Sequence, residues 1–128
     1  MKKNGFTLVE LLGVITILAM LGLIIVPVIN KIIISNKYEL YNVQIRNIES
    51  GASNFVSEHL FDIPDNSSLG ITLGKLKDLG YVNSDIADPV SKNRFSDDMI
   101  VVIKNDNGNF SYIVCDGSVN CEYVSVWE

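Results

Sequence analysis

The chain has little of what most enzymes use. It holds one histidine, His59, two cysteines, Cys115 and Cys121, three prolines and one tryptophan in 128 residues. So small a stock leaves little for nucleophilic catalysis. A zinc site wants four ligands, and the histidine lies far in sequence from the cysteine pair. There is no GxSxG, HExxH, P-loop or Rossmann fingerprint. Acids gather at Asp97-Asp98 and at Asp106, among Asn105, Asn107 and Asn109, but without the alternating spacing of a dedicated calcium loop. Basic residues are also short, 10 against 15 acids, for a formal net charge of −5. Those in the C-terminal part (Lys75, Lys77, Lys92, Arg94 and Lys104) are scattered. Nucleic-acid binding needs a basic footprint and is not expected. The expectation is a protein without enzymatic activity, metal or cofactor.

What the chain does have is an apolar start. Lys2 and Lys3 precede Gly5 and Phe6, and Glu10 stands before 20 uncharged, mostly apolar residues, Leu11 to Asn30. At ~1.5 Å rise per residue, such a run spans a ~30 Å hydrocarbon core as a helix. A cleaved secretory signal has a shorter core, roughly 7–15 residues, and a small-x-small end. Here the run passes on through Ile32, Ile33 and Ile34 with no such end. An uncleaved anchor fits better, with Lys2 and Lys3 holding the N-terminus in the cytoplasm. A plain anchor leaves Glu10 unexplained, because an acid at the centre of a membrane helix costs ~2.5–3.5 kcal/mol on insertion scales, less near the interface. No basic residue lies within helical reach of it on its own helix. Cleavage after Gly5 would create an α-amine at Phe6, and a neighbouring subunit could bring its amine to this carboxylate inside the bilayer.

The stretch Gly5-Phe6-Thr7-Leu8-Val9-Glu10, with a short basic leader before it and an apolar helix after it, resembles the class III signal of type IV pilins and type II secretion pseudopilins. The resemblance covers about thirty residues and implies a prepilin leader (1–5) removed by a prepilin peptidase between Gly5 and Phe6. It implies N-methylation of Phe6, and pairing of Glu10 with the Phe6 amine of an adjacent subunit. Implied partners are other pilin subunits, the peptidase, an inner-membrane assembly platform, and the membrane itself before assembly. The implied location is a single-pass membrane precursor with its head outside, and then an extracellular pilus or a periplasmic or cell-wall pseudopilus. Pro27 falls where that family often carries a helix-kinking proline. On physical grounds Pro27 removes the bond to the Leu23 carbonyl and should bend the helix, with Gly22 softening the same stretch. The family's usual soft-point glycine would fall at Ala19, a departure.

Beyond the hydrophobic assembly helix (6–34), the head (35–128) reads as α+β. Without the leader the chain carries eight basic residues against fifteen acids, a formal charge of −7 for the mature chain. Ile34, Tyr38, Tyr41, Ile45, Ile48, Ala52 and Phe55 are spaced by fours and threes, the stripe of an amphipathic helix over 35–60. The helix from Phe6 to about Leu60 would be ~80 Å long. His59 reads as a partly buried packing residue. Phe61 to Gly70 reads as loop, and Thr72 to Gly80 as a short helix capped at Thr72, with Leu73, Leu76 and Leu79 inward. Val82 to Asp98 reads as a long connection pinned by Val90 and Phe95. Within 99–127, Met99 to Lys104, Phe110 to Cys115 and Cys121 to Trp127 read as an antiparallel meander of three or more strands, turning at Asn107-Gly108 and at Asp116 to Asn120. The amphipathic half of the long helix would cover one face of that sheet. Cys115 and Cys121 bracket the second turn, outside the cytoplasm, where a disulfide is permitted. They form either a bridge across that hairpin, worth ~2–3 kcal/mol by chain entropy, or two reduced thiols in an apolar cluster. Pilins commonly staple an exposed C-terminal loop in this arrangement.

The expected function is a structural subunit of a type IV pilus or pilus-like (pseudopilus or competence) filament. One alternative is a low-abundance minor pilin that primes assembly or presents an adhesive or DNA-binding head. Another is a monomeric membrane-anchored extracellular binding module, which predicts no processing at Gly5.

Overall fold

The structure, a computed structural model, describes residues 4–117 and 120–128, Phe61 by its backbone alone. The chain divides between Lys37 and Tyr38 into two units.

Helix α1 runs Leu8–Glu58, 51 residues, through both Gly22 and Pro27 without a break in helical assignment. Its apolar residues in the first unit face outward: Leu8, Leu12, Leu23, Ile24 and Ile33 are all exposed. The most apolar window of α1 has a mean hydropathy of 2.8 and none of it is buried. By length and composition it is able to cross a membrane.

In the second unit α1 turns one face to a core. Ile48, Gly51, Ala52, Phe55 and Val56 are buried there, with Tyr41 and Ile45 partly so. The stripe read from the sequence thus packs from Tyr41 onward, while Ile34 and Tyr38 stay exposed. Opposite lies a four-stranded sheet in the order β3-β2-β1-β4. The strands are β1 (Ser67–Thr72), β2 (Ile100–Asp106), β3 (Asn109–Cys115) and β4 (Ser125–Val126), and α2 (Leu73–Asp78) follows β1. Leu69, Ile71, Val101, Ile103 and Val114 point from the sheet into the core, joined by Leu73 and Leu76 of α2. This is an α+β fold, a long N-terminal helix packed on a small sheet.

The hairpin β2–β3 turns where expected. Asn107 and Gly108 both take positive φ, 51° and 88°, the two-residue turn whose twist suits flanking strands. Buried Asn105 ties this hairpin down. Its Nδ2 donates to the Ile63 carbonyl (3.1 Å) and to Asp65 Oδ1 (3.2 Å), and its Oδ1 accepts from Gly108 N (2.9 Å). Thr72 caps α2 through Oγ1, which accepts from Lys75 N. Gly80 lies just past the helix end with φ 83°.

Three expectations are corrected. Ser67 to Gly70, read as loop, belongs to β1, which pairs antiparallel with β2 from Ser67↔Asn105 to Thr72↔Ile100. Pairing with an already formed hairpin outweighs the weak strand propensity of SSLG. The sheet is mixed rather than wholly antiparallel: the C-terminal segment does not return beside β3 but crosses to the opposite edge, where β4 runs parallel to β1. Gly70 permits the crossing, since a Cβ there would lie 3.2 Å from the Tyr123 ring and 3.1 Å from Ile100 Cγ2. At that edge Trp127 reaches the aromatic rings at the end of α1, 5.0 Å from Phe55 and 5.6 Å from His59, burial that a hairpin beside β3 does not offer. Finally, Phe95 anchors the 82–98 connection but Val90 is 40% exposed; Val82 and Ile86 are the other buried anchors. The turn expected over Asp116 to Asn120 includes Ser118 and Val119, outside the described residues.

Candidate processing and assembly site

The start of α1 is built by two side chains. Thr7 precedes the first helical residue, Leu8, and its Oγ1 accepts from Glu10 N (3.2 Å). Glu10 Oε2 reaches back and accepts from Thr7 N (2.9 Å) and from Thr7 Oγ1 (3.1 Å). This is a reciprocal capping box, which satisfies backbone donors that the first turn leaves orphaned. The carboxylate also sits at the positive end of the helix dipole. The sequence carries the signal, Thr-x-x-Glu ahead of an apolar run; the expectation considered only basic partners for Glu10, and its partner here is Thr7. Hydrogen bonds, not a countercharge, hold it.

Only Oε2 is used. Among the described residues no donor reaches Oε1. Glu10 also lines an open apolar groove of about 510 Å3, with Phe6, Leu11, Gly13, Val14 and Ile17. Glu10, Gly13, Val14 and Ile17 fall at helical spacings that share one face. A Cβ at Gly13 would meet nothing within 4 Å. Phe6 is 91% exposed. The peptide bond between Gly5 and Phe6 lies ahead of the helix, in chain without regular structure, where backbone can be fitted to another protein's active site.

Residues 1–26 match the family model described as the prokaryotic N-terminal methylation motif. The chain carries a class III prepilin signal. Such a signal belongs to type IV pilins and pseudopilins, and points to a structural subunit, to processing by a prepilin peptidase, and to assembly with other pilins. With the apolar helix α1, it is consistent with a membrane-anchored precursor. No curated protein and no solved structure matched the chain.

Lys2 and Lys3 lie outside the described residues. Gly22 and Pro27 lie within α1, in about the second and third turns after the groove. Cys115 and Cys121 form a disulfide, with Cα atoms 6.2 Å apart. Because the C-terminal segment leaves for the far edge of the sheet, this bridge closes the exit from β3 rather than the mouth of a hairpin. Next to it, Asp116 Oδ2 accepts from Tyr41 Oη at 2.7 Å, tying the bridge to α1. Burial, together with the Asp116 carboxylate, pushes the Tyr41 phenol up to about 12.

Proposed function

We propose that the chain is the precursor of a structural subunit of a type IV pilus or pilus-like filament. A prepilin peptidase cleaves between Gly5 and Phe6 and the new Phe6 amine is methylated. The subunit then joins a helical stack through the apolar half of α1. The observation that carries this reading is the prepilin signal ending in Glu10, whose carboxylate is half-engaged by Thr7 and half-open beside an apolar groove.

In this reading Glu10 has two tasks. Through Oε2 it caps its own helix, which lowers the cost of holding an acid at the membrane surface. Through Oε1 it can accept from the Phe6 amine of a neighbour, whose Phe6 ring and helix would fill the groove. A charge pair gains strength in a low-dielectric surrounding, and leaving either partner alone there is costly. The pair therefore favours one register of subunit on subunit. The contact is head-to-tail and does not close, so it propagates. Pro27 and Gly22 supply a stretch where α1 can bend during packing.

Intact mass and N-terminal sequencing of the protein from its native membrane test this. A chain that starts at N-methylated Phe6 is expected. A chain that starts at Met1, in a cell with an active prepilin peptidase, refutes the filament reading and favours an anchored monomer.

A further inference from the structure

We propose that the cleft between α1 and the segment after α2 binds a neutral saccharide. The cleft measures about 490 Å3, within the ~300–1,000 Å3 typical of small-ligand sites, and has room for a mono- or disaccharide. Gln44 and Asn47 form its helical wall, and Asn83 and Asp85 face them from the loop. Buried Val82 and Ile86 make its floor, with the half-buried Tyr81 ring at one side.

The polar groups present a mixed, partly spent set. Asn47 Nδ2 donates to Gln44 Oε1 at 3.4 Å, which leaves Gln44 Nε2 as donor and Asn47 Oδ1 as acceptor. Asn83 Oδ1 accepts from Asp85 N at 3.0 Å, which leaves Asn83 Nδ2 as donor. Asp85 Oδ1 meets Arg94 Nη2 at 3.1 Å, which leaves Asp85 Oδ2 as acceptor. Two donors and two acceptors around an apolar floor suit a ring of hydroxyl groups, each of which both donates and accepts, with its C–H face on Tyr81 or Val82. An anionic ligand is disfavoured. Among the described residues no basic side chain lines the cleft and an acid, Asp85, does, itself paired with Arg94.

The walls are also held in place before any ligand arrives. Gly51 lets the Tyr81–Val82 backbone lie directly on α1, closer than a side chain would allow. Tyr81 N and Val82 N both donate to the Leu76 carbonyl, and Ile86 N donates to the Asn83 carbonyl. Preorganised walls cut the ordering cost of binding.

The test is saturation-transfer NMR on the full chain, in a zwitterionic detergent without a sugar headgroup. The probes are D-glucose, D-galactose, N-acetyl-D-glucosamine, lactose and diacetylchitobiose at millimolar concentration. Transfer to at least one is expected. The double variant Gln44→Ala/Asn83→Ala should weaken it at least about ten-fold, while Asn54→Ala, on α1 outside the cleft, leaves it unchanged. Trp127 fluorescence on heating checks that the variants remain folded. Absence of transfer to every probe overturns the proposal, and so does binding that survives undiminished in the folded double variant.

Discussion

Replacing Gly51 with alanine should weaken the head, although alanine is the better helix former. A Cβ at this position would lie 2.5 Å from Val82 Cγ2 and 2.7 Å from the Tyr81 carbonyl oxygen. The valine methyl can rotate away, but the carbonyl cannot. Its peptide is held to the end of α2 by Tyr81 N and Val82 N, which donate to Leu76 O at 2.9 and 3.3 Å. Either those bonds stretch or α1 lifts from Val82, which is 7% exposed. Overpacking of this kind costs ~1–3 kcal/mol, and backbone rather than side chain at the short contact argues for the upper part of that range. Alanine returns ~1 kcal/mol of helix propensity. The net loss is ~1–2 kcal/mol, and for a head of this size each kcal/mol lowers Tm by ~4–8 °C. The assay is thermal unfolding of the full chain in detergent, followed by Trp127, whose ring lies 5.0 Å from Phe55 in the affected core. Gly13→Ala, where the added methyl meets nothing, is the control and should not lower Tm. If Gly51→Ala melts at or above the parent temperature, the close approach of α1 to the Tyr81–Val82 backbone is not a constraint and the account of the core is wrong.

Other consequences follow from the same contacts. Glu10→Gln keeps an oxygen for the capping box but removes the charge, so it should be cleaved at Gly5 yet assemble poorly; normal filaments on electron micrographs would show that the cap, not the charge, is what matters. Thr7→Val, by contrast, removes the hydroxyl of the box and should cost α1 ~1 kcal/mol at its first turn, read as faster amide exchange near Leu8 to Leu11. Asn105→Asp sets a carboxylate against the Ile63 carbonyl and Asp65, so the head should lose ~2–3 kcal/mol in urea unfolding; an unchanged midpoint counts against the buried network. Tyr41 is raised from 10.0 to about 12 in the fold, so its contribution is complete below pH 10 and is lost as pH rises through about 12. Tyr81, raised by its hydrogen bond to Glu58, loses its contribution in the same direction. Tm measured from pH 9 to 12 should fall, and Tyr41→Phe should flatten part of that fall.

The prepilin signal was legible because it is local. Gly5, Phe6 and Glu10 stand at fixed spacing before an apolar run, and that pattern involves no distant residue. The stripe from Tyr41 to Phe55, the cap at Thr72 and the Asn107-Gly108 turn were legible for the same reason, since each rests on neighbours within one or two turns of chain. β1 was not. SSLGIT has no strong strand signature, and it becomes a strand because β2 offers it six antiparallel partners. The path of the C-terminus was equally hidden: alternation in Cys121 to Trp127 suggested a strand but not which edge it would take. The cleft of Gln44, Asn47, Asn83 and Asp85 had no sequence signal at all, because its residues come together only when the loop after α2 settles on α1 at Gly51.

The sequence by itself determined the N-terminal segment of this protein, a basic start, a prepilin signal, one acid and a helix long and apolar enough for a membrane, because short-range spacing and transfer free energy suffice to specify it. Tertiary structure alone decided what the head presents. It chose the edge on which β4 pairs, set the cysteine bridge at the exit from β3, and gathered four polar side chains over a buried floor. Those outcomes turn on which surfaces can be buried together, and that is a property of the folded chain rather than of any stretch of it.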